Sequence, residues 1–102
     1  MGMQAAVLEM EMLSDDDLIR DTLLGHREAY GDLIRRYKDS LYDMACRILR
    51  NKEEAEDALQ DSLMEAYKHL KDFNHQSKFS TWLYSIVLNR VRNRLRRNRT
   101  IH

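Results

Sequence analysis

The chain has 102 residues with one cysteine, no proline and three glycines, and its side chains are 43% hydrophobic and 33% charged. That length fits one domain with a modest core, and the composition excludes a disordered chain, a disulfide scaffold and a fold built on strands and tight turns. The net charge is zero, yet residues 1–72 hold all 17 acids and 10 of the Lys and Arg, a net of −7, while residues 73–102 hold the other 7 cations and no acid, a net of +7.

Residues 1–13, MGMQAAVLEMEML, carry Glu9 and Glu11 and no basic stretch, so they read as a flexible leader rather than a signal peptide. No apolar run approaches the roughly 18 residues of a membrane helix, and no membrane insertion is expected. Cys46 stands alone, which points to a reducing, cytoplasmic setting.

Ser14 followed by Asp15, Asp16 and Asp17 is a helix start, with Ser14 as N-cap and acids at the positive end of the helix dipole. Leu18, Ile19, Thr22 and Leu23 form its apolar stripe, and Gly25 ends it. A second helix is expected over about 28–49, where Ala29, Leu33, Ile34, Tyr37, Leu41, Met44, Ala45, Ile48 and Leu49 recur in steps of three and four. Cys46 falls on that face as a small buried hydrophobe. Arg50-Asn51 breaks the pattern, and Asn51 caps a third helix over about 52–70, with Ala55, Leu59, Leu63, Ala66, Tyr67 and Leu70 inward. DFNHQSKFS, residues 72–80, has no helical stripe and reads as a loop. Ser80 or a neighbour caps a fourth helix over about 81–97, with Trp82, Leu83, Ile86, Val87 and Leu95 inward and most of its arginines outward. The fold class is therefore all-α, a compact bundle of three to four helices.

Three features need more than a fold. The third helix crowds Glu53, Glu54, Glu56, Asp57, Asp61 and Glu65 together, so that like charges face each other four residues apart. Such a face is either merely solvated or a dock for a basic partner, where Gln60, Leu63 or Met64 add contact area. In the loop, Phe73 and Phe79 flank Asn74, His75, Gln76, Ser77 and Lys78, a composition that suits stacking and edge reading of unpaired bases, unless both rings simply anchor the loop. The fourth helix combines Asn89 and Asn93, four apart on one face, with a run of arginines that is either a solvated tail or a phosphate track. Catalytic motifs are absent: there is no HExxH, P-loop, GxSxG or CxxC. His26, Cys46, His69 and His75 lack metal-ligand spacing, so neither enzyme activity nor a metal or cofactor is expected.

Over about 14–99 the chain resembles region 2 of extracytoplasmic-function (ECF) sigma factors of bacterial RNA polymerase, with residues 100–102 left as a short tail. GHREAYGDLIRRY (25–37) is similar to region 2.1, NKEEAEDALQDSLMEAYKHL (51–70) to region 2.2, and FNHQSKFSTWLYSIVLNRVRNRLRR (73–97) to regions 2.3 and 2.4. The resemblance implies that Asp57, Gln60, Asp61 and Met64 dock on the clamp coiled coil of the polymerase β′ subunit. It implies that the loop from Phe73 through Lys78 to Phe79 takes a base flipped from the non-template strand of the promoter −10 element. Asn89 and Asn93 would then lie near the melted strand, with Arg90, Arg94, Arg96 and Arg97 on its phosphates. An anti-sigma factor is a further implied partner. The family's loop often carries Arg-Gly after the first Phe, where this chain has Asn74-His75, so its promoter preference is expected to differ. A full factor carries a second helical domain for the −35 element, and none follows Arg99, as in an excised domain or a truncated protein. Two other readings compete: a helical protein-interaction module, such as an anti-sigma-binding fragment, that never touches DNA, and a duplex-binding helix-turn-helix regulator, against which the long second and third helices speak.

Overall fold

The computed structural model describes Leu8 and residues 12–101, so the expected leader over residues 1–13 lies mostly outside the described residues. Five α-helices and one 3-10 turn make up the described chain, with no strand among the described residues. The all-α expectation holds. The count exceeds the expected three to four because the second helix is broken in two. The chain divides into two compact units, with the boundary between Arg36 and Tyr37.

The first unit is a pair of packed helices, α1 (Asp15–Leu23) and α2 (Arg27–Arg35). Ser14 caps α1 reciprocally: its Oγ accepts from the Asp17 N–H at 3.1 Å, and its own N–H donates to the Asp17 carboxylate at 3.1 Å. Hydrogen bonds to the Asp17 carboxyl from the Ser14 backbone and side chain, with the Arg20 guanidinium beside it, hold that carboxyl below its ordinary value of 3.8. At the other end Gly25 takes φ +105°, a conformation that side chains resist, and closes the helix. Leu18, Ile19 and Thr22 are buried on α1, and Ala29, Leu33 and Ile34 on α2. The buried Thr22 hydroxyl donates to the Leu18 carbonyl at 2.7 Å. Leu23, expected in the stripe, is 53% exposed. At 100° per residue it falls outside the arc spanned by Leu18, Thr22 and Ile19, and a single packed neighbour covers only a narrow arc.

The expected helix over 28–49 stops at Arg35 and resumes as α3 (Lys38–Leu49). Tyr37 leaves helical geometry at φ −119°, and its carbonyl accepts both the Leu41 N–H at 3.0 Å and the Ser40 hydroxyl at 3.1 Å, so it seeds the new helix. Arg36 reaches back along its own unit to the Asp15 carboxylate at 2.9 Å and the Leu13 carbonyl at 2.6 Å. The apolar residues keep steps of three and four across this break, so periodicity alone passes over it.

The second unit packs α3 against α4 (Lys52–His69) and both against α5 (Phe79–Ile101). Arg50, left-handed at φ 53°, ends α3, and the Asn51 side-chain oxygen Oδ1 accepts from the Glu54 N–H at 2.9 Å to start α4. Ala45, Ala55, Ala58, Ala66 and the small Ser62 are all 0% exposed. Small side chains let the helix axes approach closely, and Ser62 satisfies its hydroxyl on the Ala58 carbonyl. Leu83, Val87 and Val91, four residues apart, form the buried spine of α5. Val91 escaped the sequence reading because it sits among arginines. Trp82, Ile86 and Leu95 are half-buried, and Tyr67, expected inside, is 39% exposed. Cys46 is half-buried rather than buried, and its hydrogen bond with Tyr42 raises that phenol above its ordinary 10.0. Leu70 is buried in the 3-10 turn Leu70–Asp72. The last helix begins at Phe79, two residues before the expected start, so Ser80 lies inside it rather than capping it, and it continues to Ile101.

Candidate nucleic-acid and protein interface

Three aromatics set the loop between the 3-10 turn and α5. Phe73 and Phe79, 7% and 3% exposed, meet edge-on with ring centroids 5.9 Å apart, and Trp82 lies 5.2 Å from Phe73 and 5.7 Å from Phe79. Both phenylalanines are thus anchors, the plainer of the two sequence readings, and Phe73 serves as floor rather than as a projecting ring. On that floor stands His75, its ring centroid 4.6 Å from that of Phe73. His75 takes φ 61°, and the Asn74 side-chain oxygen accepts from the Gln76 N–H at 3.1 Å, a local turn that fixes the loop crest. Asn74, His75, Gln76, Ser77 and Lys78 are all exposed. The result is a polar crest on a stiff apolar base.

Beside the loop an open groove of about 610 Å³ runs between α4 and α5. One wall carries Asp61, Glu65, His69 and Asp72, and the other Trp82, Ile86, Asn89, Arg90, Asn93, Arg94 and Arg97. The groove gathers five of the sequence-assigned DNA residues (Asn89, Arg90, Asn93, Arg94, Arg97) with Asp61 of the assigned polymerase set. Arg96 is exposed and does not line it.

The two walls are joined by a ladder that the sequence reading missed. Arg94 places its guanidinium 3.0 Å from Asp57 and 3.9 Å from Asp61, Arg90 reaches Glu65 at 3.4 Å, and the Asn98 amide donates to Glu54 at 2.7 Å. The acids of α4 climb in steps of three and four while their partners on α5 descend in steps of four, as antiparallel neighbours do. These equal spacings of opposite charge were the available signal. The repulsion along α4 is therefore relieved within the chain, and the arginines differ from one another: the Arg94 side chain is only 13% exposed, whereas Arg96 and Arg97 are exposed. Across the rim, His69 lies 3.5 Å from Asp72.

Of the residues assigned to polymerase, Gln60 is exposed and Met64 is 59% exposed, with Tyr67 close by in sequence at 39%. Asp57 and Asp61 keep 65% and 45% of their side chains in solvent while sharing Arg94, so an exposed rim of mixed apolar and acidic character follows the outer side of α4. Among the described residues no group of His, Cys, Asp and Glu is placed to hold a metal ion, and no helix is long and apolar enough to cross a membrane.

Residues 33–101 match the model of Sigma-70 region 2. The chain is 37% identical over 81 residues to the ECF RNA polymerase sigma factor SigW of Bacillus subtilis, covering 79% of this chain and 43% of that protein. It is 37% identical over 84 residues to the ECF RNA polymerase sigma factor SigM of Mycobacterium tuberculosis, covering 82% and 43%. Identity to the RNA polymerase sigma-H factor of Pseudomonas aeruginosa is 31% over 81 residues, covering 79% and 42%. The chain thus spans less than half the length of these relatives. On the match over residues 33–101 and the ECF relatives, the chain belongs to the Sigma-70 region 2 family, in its extracytoplasmic-function branch.

Proposed function

We propose that this chain acts as the promoter-melting module of an RNA polymerase sigma factor, working in the bacterial cytoplasm by binding rather than by covalent chemistry. The observation that carries the reading is a polar loop crest held on buried Phe73 and Phe79 beside a groove that gathers Asn89, Asn93 and Arg97. A flipped −10 base would enter at Asn74–Lys78, stacking against His75 or Trp82 and presenting its edge to the amides. Stacking, worth about 1–3 kcal/mol per base, then offsets an unstacking cost of similar size. The outer rim of α4, with Asp57, Gln60, Asp61 and Met64, would dock on the basic clamp coiled coil of polymerase β′, and an anti-sigma factor would compete for exposed surface of the same kind.

Asp61 is a poor residue to reverse in a docking test, because a new cation there would face Arg94 inside the chain. Met64, exposed and apolar, is the cleaner probe. The expected result is micromolar or tighter binding of the chain to the β′ clamp coiled coil, weakened about five- to thirtyfold by Met64→Glu, since a buried apolar anchor at an interface contributes on the order of 1–2 kcal/mol. No binding by the folded chain would reject the docking assignment and favour a helical interaction module with another partner.

A further inference from the structure

The arginines of α5 fall into two rows of different electrostatic character. At about 100° per residue, Arg92, Arg96 and Arg99 lie within about 60° of one another, on the side of the helix away from the Leu83–Val87–Val91 spine. Arg90, Arg94 and Arg97 form the other row, on the groove side. Asn89 and Asn93 lie on the strip of surface between the rows. The groove-side row is largely committed, since Arg90 and Arg94 sit on Glu65, Asp57 and Asp61 of α4. Arg92 and Arg99 are exposed, and among the described residues no acid pairs with either. No acidic residue follows Asp72 in the chain, so nothing in α5 itself offsets them.

An ion-paired guanidinium already has its anion, and moving it to a phosphate gains only the difference between the two. Unpaired arginines release counterions from the nucleic acid at no such cost. Resting on the DNA-binding reading above, we infer that Arg92 and Arg99 form a second phosphate-binding row, so that a single DNA strand crosses α5 from the groove side and then runs along its outer row. One phosphate lies against Arg97 on the groove side, a base lies over Asn89 and Asn93, and the next phosphates lie against Arg92 and Arg99. Arg94 is then a positioning residue that holds α5 on α4 and makes no phosphate contact.

The test is the salt dependence of binding to a short, mixed-sequence single-stranded oligodeoxynucleotide, read by fluorescence anisotropy with and without the β′ clamp coiled coil. The double variant Arg92→Gln/Arg99→Gln is expected to lower the slope of log affinity against log salt by about 1.4, close to 0.7 for each lost single-strand contact. The lysine pair Arg92→Lys/Arg99→Lys keeps the slope. So does Arg47→Gln, which removes an exposed cation from α3. An unchanged slope in the glutamine pair, folded by circular dichroism, would overturn the second row and leave the DNA-binding reading standing. Absence of salt-dependent binding by the unsubstituted chain in both conditions would overturn both.

Discussion

Arg50 and Asn51 turn the chain from α3 into α4 with two residues of opposite local character. Arg50 carries a Cβ in the left-handed region at φ 53°, which disfavours any residue but glycine, while Asn51 in extended backbone supplies the cap for α4. Arg50→Gly is therefore expected to stabilise the fold by up to about 1 kcal/mol, and Asn51→Ala to destabilise it by about 1 kcal/mol. Urea unfolding of the two variants checks both signs, and a shift in the same direction for both would contradict the account. Such caps were legible in the sequence because they act within three residues, as Ser14, Gly25 and Asn51 did. The partners of Arg90 and Arg94 were not, since they lie 25 to 37 positions away and depend on how two helices are aligned.

At the scale of elements, helix existence followed from apolar periodicity, but burial depended on what each helix packs against. Leu83 is 0% exposed on α5 and Leu23 is 53% exposed on α1, although both were read as inward. Leu83→Ala is expected to cost about 3 kcal/mol through lost burial and a residual cavity, and Leu23→Ala no more than about 0.5 kcal/mol. Equal losses in chemical denaturation would mean that the two positions are packed alike. The break at Tyr37 illustrates the opposite failure. Its residues continue the helical stripe, and no glycine or proline marks the turn. At the break the Tyr37 ring lies 6.0 Å from Phe79, a contact far along the chain that no local pattern announces.

For the molecule as a whole, the separation of acids from the basic last helix sets two different responses to salt. The cross-helix pairs keep about half of their carboxylate side in solvent and share two arginines, so together they contribute on the order of 1 kcal/mol, and raising NaCl to about 1 M is expected to lower the melting temperature by no more than about 8 °C. Oligonucleotide binding should fall by orders of magnitude over the same range, because phosphate contacts release counterions. Calorimetry beside anisotropy separates the two, and a melting temperature that collapsed with salt would make the ladder a main support of the fold. The sequence by itself determined the helical class, the caps, the polar loop between aromatics and the charge asymmetry, because these are set by composition and by contacts within about four residues. Only the tertiary structure decided which phenylalanines are anchors, where the long helix breaks and which arginines are already paired, because each depends on residues far apart in the chain being brought to one place.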